Sequence, residues 1–225
     1  DLLSQIDSEI STKKLIELFE IAIPKNDKQT NGAIYTPSII KKYIIDNTLK
    51  KICVDKKTEL NLLFIDVPKN KSKLLKSEKE TLKNIYLYRE FLLNLKIIDI
   101  AVGSGAFLNQ ALEFLIKEHD ELDKLRKDFE GEGLGLYDIE ASILEHNLCG
   151  VDINEDAIEI AKLSLWLRSA RRGRPLTKLA NKIICANSLL EMPFEENSFD
   201  VIIGNPPYVK EDTNKNAFKG LKESV

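Results

Sequence analysis

Asp99-Ile100-Ala101-Val102-Gly103-Ser104-Gly105-Ala106-Phe107 stands between a short apolar run and a helical pattern. The run Ile97–Ala101 has the length and composition of a strand buried in a parallel sheet. The residues from Ala106 to about Glu118 carry the 3.6-residue apolar spacing of a helix. Glycines between a strand end and a helix start let a ligand approach the backbone closely, and the helix N-terminus offers unpaired N–H groups. The third glycine of a dehydrogenase-type turn is missing, because Leu108 occupies that position.

Downstream the alternation repeats. Leu148–Ile153, Ile183–Ala186 and Phe199–Gly204 read as further strands, Asp156–Ala170 as a helix, and Ile139–His146 as a short one. Residues 119–137 are charged and end in Gly131, Gly133 and Gly135, so a surface excursion is expected there. Strands alternating with helices define an α/β domain. Upstream the chain reads as helical. Leu15, Ile16, Leu18, Phe19 and Ile23 line one side of a helix over 1–23, which Pro24 ends. Thr36 is placed to cap the next helix and Pro37 to sit in its first turn. Residues 47–96 look helical, with a break around Pro68. The chain therefore divides near residue 96 into a helical region, 1–96, and an α/β region, 97–225.

Composition sets the class. The 225 residues are 43% hydrophobic and 31% charged, as in a soluble globular protein, and no apolar run reaches membrane-spanning length. The net charge of −3 hides an asymmetry, with +5 over residues 1–96 and −8 over the rest. No acid lies between Glu159 and Glu191, whereas Lys162, Arg168, Arg171, Arg172, Arg174, Lys178 and Lys182 do. That stretch is either a solvated helix end and loop or a phosphate-facing patch. Cys53, Cys149 and Cys185 form no CxxC pair and read as reduced core residues of a cytosolic protein. His119 and His146 lack zinc-ligand spacing and read as surface or helix-end residues, so no metal is expected.

Two further segments carry chemistry. Asp152, in Gly150-Val151-Asp152-Ile153-Asn154, ends the second strand, where an acid faces the binding crevice and can accept bonds from ribose hydroxyls. Ile153 beside it can cover a flat ring, although Asp152 or Asn154 could instead cap a helix. Asn205-Pro206-Pro207-Tyr208 follows the fourth strand. Two prolines fix φ twice and cannot continue a ladder, so they hold the Asn205 side chain and the Pro206 carbonyl at the sheet edge. Two acceptors beside an aromatic ring suit a flat, amino-bearing substrate.

Together these segments resemble the S-adenosylmethionine-dependent adenine-N6 DNA methyltransferases of bacterial restriction–modification systems, nearest to the methylase part of single-chain type IIG enzymes. Tyr35-Thr36-Pro37 ahead of the glycine turn, Leu163-Ser164-Leu165-Trp166-Leu167 and Asn187-Ser188-Leu189-Leu190 share in the likeness, which covers about residues 30–210. It implies a Rossmann-like methyltransferase fold with a partial parallel sheet in the order 3-2-1-4. It also implies that Thr36 and Pro37 border the cofactor's methionine moiety. Asp99, Ala101, Gly103 and Gly105 would bind its carboxylate and amine, with Phe107 packing behind. Asp152 would hold the ribose, Ile153 the adenine face and Asn187 the adenine amino group, with Leu189 alongside. Asn205, Pro206, Pro207 and Tyr208 would form the catalytic segment. Ile100-Ala101-Val102 departs from the frequent Pro-Ala-Cys, and Ala186 stands where glycine is common.

The expected partners follow from the resemblance: duplex DNA with a flipped adenine, no membrane, and a bacterial cytoplasmic setting. Because the chain opens on Asp1, it is expected to be a piece of something longer. The remaining sheet strands, a target-recognition region and possibly a nuclease would then lie elsewhere in the parent chain. The piece alone is expected to be inactive and to self-associate through its open sheet edge. The alternatives are an amino-methyltransferase acting on protein glutamine or RNA, a phage-defence methylase without a nuclease, and a non-catalytic cofactor- or DNA-docking fragment.

Overall fold

A computed structural model describes residues 36–71, 73–131, 139–169 and 178–206. Tyr35, Pro207, Tyr208, Arg171, Arg172, Arg174 and the helix expected over 1–23 lie outside the described residues. The elements are α1 (Ser38–Asn47), α2 (Leu49–Glu59), α3 (Lys76–Asn94), β1 (Ile97–Asp99) and α4 (Ala106–Glu130). They continue as α5 (Ile139–His146), β2 (Leu148–Asp152), α6 (Glu155–Ser169), β3 (Ile183–Cys185) and β4 (Val201–Ile203). All four strands are parallel and lie in the order β3-β2-β1-β4, as expected for a methyltransferase fold.

β1 sits at the centre because its residues are buried on both faces: Ile97, Ile98 and Asp99 are each at most 1% exposed. Ile97, Leu148, Ile183, Val201 and Ile203 point to one face and pack with α4, α5 and α6 residues such as Leu108, Leu112, Ile143 and Ile158. The helical N-terminal residues join the same core through Ile45, Leu49, Tyr88 and Leu92. The opposite face holds a smaller cluster of Ile98, Cys149 and Val151, covered by Phe194 and Phe199 from the β3–β4 connection. Those two rings meet edge to face at 5.3 Å.

Several expectations change. The helix after the glycine turn does not stop at Glu118 but runs to Glu130. Its charged continuation keeps an apolar stripe, with His119, Leu122 and Phe129 buried at helical spacing. The charges on the other side are paired: Asp123 bridges Arg89 and Arg126, and Glu130 accepts from Tyr86. His119 is accordingly a mid-helix core residue rather than a surface one, at 2% exposure. Burial, aided by the Arg89 charge, pushes its pKa down to about 4, so the ring is neutral. Cys185 is exposed rather than a core residue, because β3 is an edge strand; Cys53 and Cys149 are buried. The break in the second helical stretch spans residues 60–75, wider than Pro68 alone. Among the described residues no helix is long and apolar enough to cross a membrane.

One buried side chain ties the helical region to the sheet. Asn147 is fully buried between α5 and β2, and its Nδ2 donates to the carbonyls of Leu92 and Leu95 at 2.7 and 2.6 Å. Its own carbonyl accepts from Ile97, the first residue of β1. The end of α3 is thereby locked to the starts of β1 and β2. Asn147→Ala leaves two buried carbonyls without a donor and should cost about 2–3 kcal/mol. Urea denaturation checks this as a lower midpoint with an unchanged slope.

Candidate active site

The parallel register brings four segments to one edge of the sheet. Asp99 lies opposite Gly150 in β2 and Ile203 in β4, and Asp152 lies opposite Cys185 in β3. The turn 100–105, Asp152–Ile153, Asn187 and Asn205 therefore all leave the same C-terminal edge. The chain after β1 crosses to β2 on one side, while β4 lies on the other, so a crevice opens between β1 and β4.

The glycine turn is gripped from three directions. From below, Asp99 Oδ1 accepts the Ala101 amide at 3.0 Å. From the β2 side, Asp152 Oδ2 accepts the Gly103 amide at 2.8 Å, while its Oδ1 accepts from Asn154 at 3.0 Å. From above α4, Asn109 donates to the Gly105 carbonyl at 2.9 Å and to Ser164 Oγ at 2.8 Å. Ser164 Oγ in turn has one proton to share between the Ala161 carbonyl at 2.9 Å and the Ser104 carbonyl at 3.2 Å. Gly105 has φ +81, and a Cβ there would come within 3.2 Å of Ala161 and Ser164 Oγ. Only glycine lets α6 pack this close to the turn. Phe107 is buried behind it at 5% exposure.

Asn109 and Ser164 are positioning residues that the sequence reading did not single out for this role. The available signal is local: Asn109 lies four residues after Gly105, within reach of its carbonyl along a helix.

Asp99 is completely buried, and its Oδ2 has no partner among the described residues. Burial is the main cause that raises its pKa to about 7, and the Asp152 charge adds to it against the Ala101 hydrogen bond. A Cβ on Gly204 would lie 2.6 Å from Asp99 Oδ1, and Gly204 has φ +145. The end of β4 thus closes directly over this carboxyl group.

On the outer side of the edge the residues are more open. Asp152 and Asn187 are half-buried, whereas Ile153 and Leu189 are 62% and 67% exposed. Asn154, not Asp152, caps α6, through a 3.1 Å bond from Ala157. Asn187 Oδ1 accepts the Leu189 amide at 3.0 Å. Thr36 does not cap α1: among the described residues no side chain caps that helix, and the Pro37 carbonyl accepts from Ile40 and Lys41. The Thr36 hydroxyl instead accepts from Asn205 Nδ2 at 3.0 Å, across 169 residues of chain. Within the basic stretch, Lys162 pairs with Glu159 and Arg168 with Glu113.

A parallel α/β sheet ordered 3-2-1-4, with a glycine turn after β1 and an acid after β2, is the framework of a Rossmann-like methyltransferase fold. Residues 146–224 match the family model described as Eco57I restriction-modification methylase. A putative type II restriction enzyme and methyltransferase of Methanocaldococcus jannaschii, RM.MjaORFECS2P, is 33% identical over 189 residues. That alignment takes in 77% of this chain and 16% of the relative. The type II restriction enzyme and methyltransferase RM.Eco57I of Escherichia coli is 27% identical over 227 residues, 87% of this chain and 20% of its own length. The chain spans about a sixth to a fifth of the curated relatives it matches.

The raised pKa of Asp99 links stability to pH with a defined sign. The native state keeps its proton up to about pH 7, whereas the unfolded chain releases it near 3.8. The native state therefore binds the extra proton in that window, and this contribution to stability is lost as pH rises through it. Asp99→Asn does not titrate, so it should gain stability relative to wild type between pH 5 and pH 8. The loss is about 1.4 kcal/mol per pH unit across the window. Urea midpoints of both proteins at the two pH values check this; an identical difference at both would contradict it.

Proposed function

We propose that this chain carries the methyl-transfer site of a restriction–modification enzyme, acting from S-adenosylmethionine onto the N6 amine of adenine in DNA. The observation that supports it best is the placement of Asn205 and Pro206. They leave β4 at the crevice beside the glycine turn, with Asn205 half-buried and Pro206 exposed. The names of the relatives, restriction enzyme and methyltransferase, favour DNA over protein or RNA as the substrate.

The residues fit the cofactor. Among the described residues, nothing lies within 4 Å of the position that a Cβ on Gly103 would fill. Asp152 retains lone pairs at a half-buried position, and Ile153 and Leu189 present apolar surface along the same edge. Asp152 would hold the ribose, Ile153 and Leu189 would flank the adenine, Asn187 would bond its amino group, and the turn Ala101–Gly105 would receive the methionine end. Bound there, S-adenosylmethionine supplies an electrophilic methyl on sulfur.

The chain's own part is placement. An adenine amine is a weak nucleophile because its lone pair is delocalised into the ring. Asn205 Oδ1 and the Pro206 carbonyl each accept one hydrogen of that amine. The nitrogen is drawn toward a pyramidal shape, and its lone pair is turned to the methyl. Preorganised acceptors of this kind act where positive charge develops and need no reorganisation during the reaction. The base must leave the duplex to reach them. Tyr208, beyond the described residues, is assigned to stack on it.

In the full-length protein, Asn205→Ala should lower methyl transfer to duplex DNA about a hundredfold or more. Its affinity for S-adenosylmethionine, read by calorimetry, should stay within about twofold of wild type, because the groups assigned to the cofactor are untouched. Near-normal transfer in this variant, or equal transfer to RNA, would overturn the reading.

A further inference from the structure

The geometry points to Thr36 as the positioning residue for Asn205: its hydroxyl fixes the side-chain torsions that leave Asn205 Oδ1 turned toward the target amine. This rests on the reading of Asn205 as an acceptor of that amine. It gives Thr36 a role different from bordering the cofactor.

The backbone of Asn205 is restrained from both sides. Gly204 before it is pressed over the Asp99 carboxyl group, where a Cβ would lie 2.6 Å from Oδ1. Pro206 after it excludes the helical region for Asn205. What remains free is the side chain. Its terminal torsion is broad and nearly two-fold, and half a turn exchanges an acceptor for two donors. An amine that must keep its lone pair for the methyl offers only hydrogens. An outward Nδ2 would repel it, and only Oδ1 can hold it.

Thr36 supplies the missing restraint. Nδ2 donates to its Oγ1 at 3.0 Å, so Oδ1 lies on the other branch of the amide. Thr36 is itself anchored, since the Pro37 carbonyl accepts two amides of α1. α1 in turn buries Ile45 at 2% exposure in the main core. The hydroxyl can also donate, and would then tolerate a flipped amide. The incoming amine selects the acceptor orientation, and Thr36 holds it once selected. In either orientation the hydroxyl holds the plane of the amide before the substrate arrives, which removes part of the ordering cost of the transfer step.

The test uses the full-length protein with Thr36→Val, which keeps the shape and removes the hydroxyl, and Thr36→Ser, which keeps the hydroxyl. T36V should lower kcat about tenfold, the size of one lost hydrogen bond. Calorimetric affinity for S-adenosylmethionine should stay within about twofold, and T36S should restore kcat to within about threefold of wild type. If T36V does not fold, T36A is read in the same way. An unchanged kcat in T36V overturns the inference. So does a tenfold weaker cofactor affinity with kcat intact, which would make Thr36 a cofactor contact. A T36S variant as slow as T36V overturns it too, because the hydroxyl would then not be the operative group. Asn205→Ala separates the two levels: normal transfer in that variant removes the underlying reading, whereas its loss beside an unaffected T36V removes only the role of Thr36.

Discussion

The site depends on one buried carboxyl group. Asp99 ends the central strand with no access to water, pins the Ala101 amide with one oxygen, and leaves the other without a partner among the described residues. An unpaired polar oxygen in the core is costly. Its burial raises the pKa, so a proton rather than a full charge is kept there at neutral pH and below. The return is geometric. The turn that follows β1 starts in a fixed direction, and β4 can close over it because Gly204 has no side chain. The sheet edge is built outward from that contact: Gly103 held by Asp152, Gly105 by Asn109, Ser104 by Ser164, and Asn205 one residue beyond Gly204.

Much of this was legible in the sequence because it rests on short, local patterns. The four strands were apolar runs beside turn residues, whereas their order came from the resemblance to a methyltransferase sheet. The glycine turn, Asp152 and Asn205-Pro206 each follow a strand, which places them on one edge of a parallel sheet. What escaped was long-range. Asn147 bonds to carbonyls 52 and 55 residues away, and no spacing rule exposes such a partner. Thr36 reads as a helix cap, yet Asn205 takes its hydroxyl. The charged run after Glu118 reads as a surface loop because its acids and bases outnumber its apolar residues. Three buried residues at helical spacing nonetheless suffice to keep it wound.

The two faces of the sheet are unequal, and this bears on where a large substrate can approach. One face is sealed by α4, α5 and α6 around a continuous core. The other carries a small cluster under Phe194 and Phe199, with Ile202 of β4 65% exposed. The candidate site opens on neither face but on the edge between them, where backbone carbonyls and amides leave the strands. The geometry of such an edge is set by its turns, and buried Asn109 and Ser164 hold the one after β1.

The bond between Thr36 and Asn205 also has a meaning in time. Its partners are 169 residues apart. At roughly 5–20 residues per second, a ribosome needs roughly 8–34 seconds to deliver the second after the first. During that interval the glycine turn and the acid of β2 are made, whereas Asn205 is not. The bond can form only after that delay, when an early segment meets a later one.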